Sequence, residues 1–268
     1  MPDQASDAAP RIRTTVEDHV LVIEVDRPEK RNAFDMQALR EFSAAYTRLD
    51  TDDDLWAGCV VSTGDHFSAG LDLADVAPVV AEQGPSALAG AGEVDPWGIW
   101  GRACSKPVVV ALNGLSYTLS IELALAADIV VCADDVRLRQ MEIARGIIPF
   151  GGATFRAPDR LGWANAMRWI LTGEEFGADE ALRIGLCSEV VPAGEHVARA
   201  KALAHLVAAQ APLGVHGTLA NARIGRERGQ EAAAEHLVEL LPTIMRSADA
   251  AEGVASFVER REARFTGR

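Results

Sequence analysis

One stretch near the middle of the chain, Lys106 to Asp128, most constrains how it can fold. It begins with an apolar, β-branched run, Pro107 to Leu112, which Asn113-Gly114 interrupts with a turn signal. The segment TLSIELALAA, which starts at Thr118, is rich in good helix formers. The pattern predicts a buried strand, a turn and a buried helix.

The predicted helix carries an isolated carboxylate, Glu122, between Ile121 and Leu123. No Lys or Arg lies between Lys106 and Asp128 to pair with it. Because an unpaired buried anion is costly, we expect a raised pKa for Glu122, and such carboxylates are enriched at functional sites. Two ordinary arrangements compete with this interpretation: a helix face that reaches water, or a carboxylate satisfied by backbone groups.

Composition limits the class of protein. The chain has 268 residues, 49% of them hydrophobic, which is enough for a sizeable core. Its net charge of -13 argues against nucleic-acid binding, so an anionic ligand would need a local basic patch. The four cysteines are widely spaced and predict reduced core thiols in the cytoplasm, and the scattered histidines give no metal-ligand pattern. The polar start and the lack of a long apolar run predict neither a signal peptide nor a membrane partner.

The order of elements predicts three regions. Residues 1–11 are expected to be a disordered tail. Residues 12–194 alternate strand-like and helix-like patterns, and residues 195–268 are almost wholly helical. This order is typical of an α/β core with a C-terminal helical extension.

Three segments outside the central stretch are candidate ligand contacts. The loop from Arg27 to Ala33 carries three basic residues, and is either a solvated turn or a phosphate-contacting loop. The small residues Ser68, Ala69 and Gly70 follow a predicted strand; they are a simple turn, or a place where backbone N–H groups meet a developing anion.

The third segment, residues 74–105, is rich in Gly and Pro and is interpreted as a mobile segment or lid, with a helix resuming near Ile99. Its Trp97 and Trp100 line an apolar pocket or pack in the core. Further on, Glu142 precedes a Gly/Pro-rich loop, where a surface position is the ordinary alternative to a functional one.

Taken together and in order, six stretches of the chain resemble the enoyl-CoA hydratase/isomerase (crotonase) superfamily. They are RPEKRNAFD (27–35), GDHFSAGLDL (64–73), KPVVVALNGLSYTLSIELALAADI (106–129), RQMEIARGIIPFGGAT (139–154), TGEEFGADEALRIGLCSEVVP (172–192) and SADAAEGVASFVERREARF (247–265). The resemblance implies a spiral of ββα units followed by helices that make trimer contacts, often as a dimer of trimers. It also implies an acyl-CoA substrate and no separate cofactor or metal.

The resemblance further implies a division of roles. The backbone N–H groups of Ala69 and Leu119 would hold the oxygen of a thioester enolate. Glu142 would deliver a proton to the α-carbon, and Glu122 would deprotonate the water that attacks the β-carbon. Residues implied in CoA contacts are Arg27, Lys30, Arg31, Ala33, Ser68, Gly70, Leu71, Asp72 and Phe265.

The chain departs from the family pattern just before the first glutamate, where Thr118, Leu119 and Ser120 replace glycines common in the family. Having both glutamates favours an enoyl-CoA hydratase. The departure keeps three alternatives open: an enoyl-CoA isomerase, a hydrolase of C–C bonds in diketones, and a catalytically silent subunit that binds acyl-CoA.

Overall fold

The structure is a computed structural model that describes residues 9–89 and 92–268. Its strands are β1 (Ile12–Glu17), β2 (Val20–Val25), β3 (Ala57–Ser62), β4 (Val108–Leu112), β5 (Leu115–Tyr117), β6 (Ile129–Ala133), β7 (Arg137–Arg139), β8 (Glu175–Gly177) and β9 (Glu189–Val191). Six of them form the main sheet, in the order β1-β2-β3-β4-β6-β9. β1 and β2 pair as an antiparallel hairpin, and the neighbours from β2 to β9 run parallel. The interior strands are nearly continuous apolar runs because both faces of this sheet are covered.

The remaining strands form a smaller sheet in the order β5-β7-β8. The predicted Asn113-Gly114 turn carries the chain from β4 into β5. Gly114 has a φ of +46°, and a side chain there would collide with the Asp65 carbonyl, so only glycine fits. The turn thus delivers the chain to the helix that bears Glu122.

Ten α-helices accompany the sheets in the described residues. They are α1 (Met36–Thr51), α2 (Leu73–Gln83), α3 (Leu119–Ala126), α4 (Ala153–Leu161), α5 (Trp163–Thr172), α6 (Ala178–Ile184), α7 (His196–Ala208), α8 (Pro212–Arg228), α9 (Gln230–Met245) and α10 (Ala248–Glu259). Asp35 caps α1, since its Oδ1 accepts a hydrogen bond from the Ala38 N–H at 2.8 Å. Short 3₁₀ turns occur at Pro28–Lys30, Pro85–Leu88 and Glu142–Arg145.

The main sheet has a hydrophobic cluster on each face. α1 packs in the larger cluster through Leu39, Phe42 and Leu49. The opposite face is covered by α7, whose Ala200 and Ala204 are fully buried. Because these small residues let the helix approach the strands closely, α7 belongs to the core even though it begins the all-helical C-terminal region.

The segment 74–105 is more ordered than its composition predicts. Its first part is α2, and no helix resumes near Ile99, because residues 92–105 form turns. Val94 and Trp97 are buried in the larger hydrophobic cluster. Asp50, at the end of α1, accepts hydrogen bonds from the backbone and side chain of Ser105 at 2.6 and 2.7 Å. The described part of this segment is therefore pinned to α1 rather than detached as a lid.

Residues near both ends of the chain are hydrogen-bonded to helices. Residues 1–8 of the predicted tail lie outside the described ranges, whereas the Arg11 N–H donates to Glu41 on α1 at 2.7 Å. The last helix ends at Glu259. The carboxylate of Asp249 accepts from the N–H groups of Thr266 and Gly267, which folds the C-terminus back onto α10. Within residues 9–89 and 92–268, no helix is long and apolar enough to cross a membrane.

Candidate active site

A cavity of about 380 Å³ lies among the segments singled out in the sequence. Both glutamates line it, although they come from different elements: Glu122 from α3 and Glu142 from the 3₁₀ turn Glu142–Arg145. The other residues that line it are Lys30, Ala33, Leu39, Ala69, Leu71, Asp72, Leu73, Leu88, Asp95, Trp97, Trp100, Thr118, Leu119, Met141, Arg145, Ile147, Phe150 and Gly151. The fold thus brings together most of the residues that the sequence identified.

Glu122 is buried, with 4% of its surface exposed. Its Oε1 accepts hydrogen bonds from the N–H groups of Gly151 (2.8 Å) and Ala153 (3.1 Å), at the start of α4. Burial raises the pKa of Glu122 from 4.5 to about 7, against the opposing effects of these two N–H groups and of the Arg156 guanidinium. Both sequence interpretations are confirmed in part: the carboxyl group is perturbed, and backbone groups satisfy one of its oxygens.

Glu142 is also buried, which rules out the surface position for it. Its Oε1 accepts a hydrogen bond from Nε2 of Gln140 at 2.9 Å, whereas its Oε2 has no partner in the described part of the chain. Burial and, to a smaller extent, the negative charge of Glu122 together raise the pKa of Glu142 from 4.5 to about 7. Each glutamate therefore has one oxygen held by the protein and one left without a donor among the described residues.

The structure corrects one of the two predicted anion-binding N–H groups. The N–H of Ala69 donates to the carbonyl oxygen of Arg31 at 2.9 Å, so it is already occupied. Two residues along, the N–H of Leu71 has no acceptor within the described ranges, and Leu71 also lines the cavity. The free N–H group in this segment is therefore that of Leu71 rather than that of Ala69.

The second predicted donor, the N–H of Leu119, is available. Leu119 is the first residue of α3, where an N–H has no partner within the helix, and it finds none elsewhere in the described residues. Its side chain is 5% exposed and packs in the larger hydrophobic cluster, so a leucine fits where the family often has glycine.

The residue with a strained backbone is Thr118, just before Leu119. Thr118 has φ +50° and ψ −108°, a conformation that a residue with a Cβ rarely adopts. Gly70 lies against it, and a side chain on Gly70 would collide with the Thr118 hydroxyl. The two anion-binding segments therefore meet directly at Gly70 and Thr118.

Of the three basic residues in the loop from Arg27 to Ala33, one is buried and two are exposed. Arg27 is 8% exposed, and its guanidinium donates to Asp72 at 3.0 Å and lies 3.3 Å from Asp35. These two carboxylates already neutralise Arg27, so the ion pairs give it a structural role. Lys30 and Arg31 are exposed and have no ion pair within the described ranges, and Lys30 lines the cavity.

Three other predicted contact residues lie away from the cavity. Ser68 is 0% exposed, and its hydroxyl donates to the Asn32 carbonyl at 2.7 Å. Gly70 is buried, and its N–H and carbonyl are both hydrogen-bonded within the chain. Phe265 lies beside α10 near Gly253. Ala33, Leu71 and Asp72, which the resemblance implies in CoA contacts, line the cavity.

Both tryptophans line the cavity, and each also donates a hydrogen bond to a backbone carbonyl. The indole Nε1 of Trp97 donates to the Leu119 carbonyl at 3.0 Å, and that of Trp100 donates to the Phe150 carbonyl at 3.2 Å. Trp97 also packs against the rings of Phe34 and Phe42, so the pocket and core interpretations both hold for it.

The sequence interpretation missed Gly151 and Gln140, which hold the two glutamates. A side chain on Gly151 would come within 2.5 Å of Oε2 of Glu122, so glycine is needed there. The Gly151-Gly152 pair before a helical pattern was the available signal. All four cysteines are buried and free, as predicted. No group of three or more potential metal ligands occurs among the described residues.

Fold and cavity together define a crotonase-like protein. A family model described as Enoyl-CoA hydratase/isomerase matches residues 15–268, and the chain therefore belongs to the enoyl-CoA hydratase/isomerase family. A solved structure of a probable enoyl-CoA hydratase/isomerase from Mycobacterium abscessus is 48% identical, with a TM-score of 0.92 over 96% of this chain and 99% of that one. This likeness confirms the predicted α/β crotonase-like fold.

Other relatives bear two kinds of name. The carnitinyl-CoA dehydratase of Proteus mirabilis is 34% identical over 96% of this chain and 98% of its own length. A probable enoyl-CoA hydratase of Mycobacterium tuberculosis is 31% identical over 92% of this chain and 94% of its own. Both names denote addition or removal of water on a CoA thioester.

Proposed function

We propose that this protein is an enoyl-CoA hydratase, which adds water across the 2,3 double bond of a trans-2-enoyl-CoA. One observation carries the proposal: two buried carboxyl groups, each with one oxygen lacking a donor in the described chain, line the same cavity as two unpaired backbone N–H groups. Hydration needs these four groups. The names of the relatives support the same class of reaction, which is addition of water to a CoA thioester or its removal.

The environments of the two glutamates support Glu122 as the base and Glu142 as the acid. Glu122 acts as the base, because the N–H groups of Gly151 and Ala153 and the nearby Arg156 favour its ionised form. Glu142 acts as the acid, because burial and the charge of Glu122 favour its protonated form. Carboxyl groups whose environments differ in this way can divide acid and base roles at neutral pH.

The reaction then balances without a further cofactor, since CoA is part of the substrate. Glu122 takes a proton from water as the hydroxyl adds to C3, and the π electrons move to the thioester oxygen. The N–H groups of Leu71 and Leu119 hold that enolate oxygen, and the dipole of α3 adds to its stabilisation. Glu142 then protonates C2. Lys30 and Arg31 supply the local positive charge that CoA phosphates need in a protein of net charge -13.

The protein is further proposed to assemble as a homotrimer, or as a hexamer of two trimers. Support comes from α9 and α10, whose exposed apolar side chains would be costly in a monomer. They are Leu237, Val238, Leu241, Met245, Val254, Phe257 and Val258. A reducing compartment such as the cytoplasm suits four free buried thiols.

The deciding experiment follows enoyl-CoAs of short, long and aromatic acyl chains by absorbance of the conjugated thioester and by mass. Hydration adds the mass of one water, isomerisation leaves the mass unchanged, and diketone hydrolysis consumes a substrate that lacks CoA. We expect Glu122→Gln and Glu142→Gln each to reduce hydration by about 10²–10⁴-fold, while Glu235→Gln on the exposed part of α9 has no effect. Binding of acyl-CoA without turnover of any substrate would overturn the proposal in favour of a silent subunit.

A further inference from the structure

The turn from Asp95 to Trp100 touches both parts of the proposed machinery. Its two indole N–H groups reach different elements: Trp97 donates to the carbonyl of Leu119 on α3, and Trp100 donates to the carbonyl of Phe150 before α4. Leu119 supplies an enolate-binding N–H in the proposed function. Phe150 shares a peptide group with Gly151, whose N–H holds Glu122.

The turn itself is held rigidly. The buried carboxylate of Asp95 accepts hydrogen bonds from the N–H groups of Trp97 (2.9 Å), Ile99 (2.7 Å) and Trp100 (2.8 Å). On the other side, the guanidinium of Arg156 on α4 donates to the carbonyls of Trp97 and Gly98. The two indoles therefore have fixed positions from which to hold their acceptors.

We infer that the Asp95–Trp100 turn is a positioning element in which Trp97 fixes the enolate-binding segment and Trp100 fixes the peptide group that holds Glu122. The inference rests on the proposed function, which assigns chemistry to Leu119 and Glu122. Neither indole contacts the reacting atoms in this account, so each acts through another residue.

The hydrogen bond from Trp97 matters because this chain has Thr118 where glycine is common in the family. Thr118 occupies an unfavourable backbone conformation immediately before Leu119. Its own N–H donates to the Arg139 carbonyl at 2.9 Å, which holds the segment on one side. The indole of Trp97 holds it on the other side, at the Leu119 carbonyl. A segment held at both ends keeps its strained conformation, and so keeps the Leu119 N–H in place.

The hydrogen bond from Trp100 to the Phe150 carbonyl affects the carboxylate of Glu122 rather than the enolate-binding segment. If the Phe150 carbonyl loses its donor, the 150–151 peptide group can rotate, and the Gly151 N–H then holds Glu122 less well. The charged groups that face Glu122 are Glu142 and Arg156, and neither changes when Trp100 is replaced. The consequence is a weaker preference of Glu122 for its ionised form.

The two tryptophans can be separated by paired variants and two readouts. The first readout is the absorption of bound 4-dimethylaminocinnamoyl-CoA, which moves to longer wavelength when N–H groups polarise its thioester carbonyl. The second is the acidic limb of the pH profile of kcat/KM, which reports the base. Trp163→Phe, on a residue that is 71% exposed and outside the cavity, is the matched control.

We expect Trp97→Phe to reduce the spectral shift and to lower kcat by about 10- to 100-fold, less than the loss of a whole donor, with the acidic limb unmoved. We expect Trp100→Phe to move the acidic limb upward by about half a pH unit, as loss of one hydrogen bond allows, with the spectral shift intact. If Trp97→Phe does not fold, Asp95→Asn loosens the turn with both indoles present, and both readouts should move partway.

The inference is overturned if both variants keep both wild-type readouts, or if they change only KM or thermal stability. A wild-type complex that binds the chromophore with no spectral shift gives a different result: the proposed enolate-binding site is then wrong. The two failures are therefore distinguishable.

Discussion

Gly70 lies so close to Thr118 that a methyl group on its Cα would overlap the Thr118 hydroxyl oxygen. This contact joins the segment that carries Leu71 to the segment that carries Leu119. The spacing between the two unpaired N–H groups therefore depends on a glycine that itself touches no substrate.

We expect Gly70→Ala to destabilise the protein by about 1–3 kcal/mol, because it combines a steric overlap with a φ of +105°. Hydration activity should fall with it, as the two segments are forced apart. Gly84→Ala is the matched control, since Gly84 has a φ of +82° in open space. Urea unfolding of both variants separates the overlap from the backbone strain, and equal losses of stability would contradict the contact.

Gly151→Ala should reduce kcat by about 10² while the protein remains folded. The added methyl group would lie about 2.5 Å from Oε2 of Glu122 and would push the carboxylate off the Gly151 N–H. Gly214→Ala on α8, where φ is ordinary and an added Cβ would meet only Ala211 at 3.9 Å, provides a control for general effects of alanine. Steady-state kinetics and thermal unfolding together test this; unchanged kcat in Gly151→Ala would show that Glu122 need not keep its position.

Replacing Glu122 should stabilise the protein at high pH. The pKa of Glu122 is raised from 4.5 to about 7 on folding, so the folded state retains a proton that the unfolded state loses, and stability falls as pH rises through this interval. The penalty above pH 7 is on the order of 3 kcal/mol. Free energies of unfolding should show Glu122→Gln more stable than wild type at pH 8, with the gap closing near pH 4.5. A gap that does not depend on pH would show that burial does not perturb this carboxyl group.

Lys30 and Arg27 lie in one loop, but replacing Lys30 should weaken acyl-CoA binding, whereas replacing Arg27 should lower stability. Lys30→Ala should weaken acyl-CoA binding by about threefold to tenfold at low salt, and less at high salt, with stability unchanged. Arg27→Ala should cost about 1–3 kcal/mol of stability, because it leaves Asp72 without an ion-pair partner among the described residues and leaves Asp35 paired with Arg11 alone. Arg40→Ala, exposed on α1 and outside the cavity, is the control for loss of a positive charge. Calorimetric binding and urea unfolding measure the two effects.

Phe257→Glu should disrupt assembly without unfolding the chain. Phe257 is 85% exposed on α10, so nothing within the described residues explains a phenylalanine there. Sedimentation velocity should show a smaller species for this variant than for wild type, with the helical circular dichroism intact. Glu259→Gln at the end of the same helix serves as control, and an unchanged sedimentation coefficient for Phe257→Glu would place the interface elsewhere.

Local pattern was enough to locate Glu122, because a carboxylate with apolar neighbours and no nearby base in the sequence is unusual in any fold. It could not locate Gly151, because the contact between Gly151 and Glu122 joins residues 29 positions apart. Arg27 and Lys30 look alike in sequence; the two differ because Asp35 and Asp72 form ion pairs with Arg27 and not with Lys30.

The error at Ala69 has a similar origin. The segment was identified correctly, but which of its N–H groups is free depends on contacts with other parts of the chain. Ala69 is occupied because its N–H donates to the Arg31 carbonyl, in a loop 38 positions earlier in the sequence, and no local pattern shows that pairing. The departure from the family pattern spans Thr118 to Ser120, and the structure places the backbone strain at Thr118 rather than at Leu119.

Leu119 faces two environments at once: its side chain lies in the hydrophobic core, and its N–H lies at the cavity. A change in core packing beneath α3 will therefore move the N–H group proposed to hold the enolate as well as alter stability. Laboratory evolution of this enzyme toward heat resistance should leave the first turn of α3 and its apolar neighbours unvaried, and place its substitutions around α8 instead.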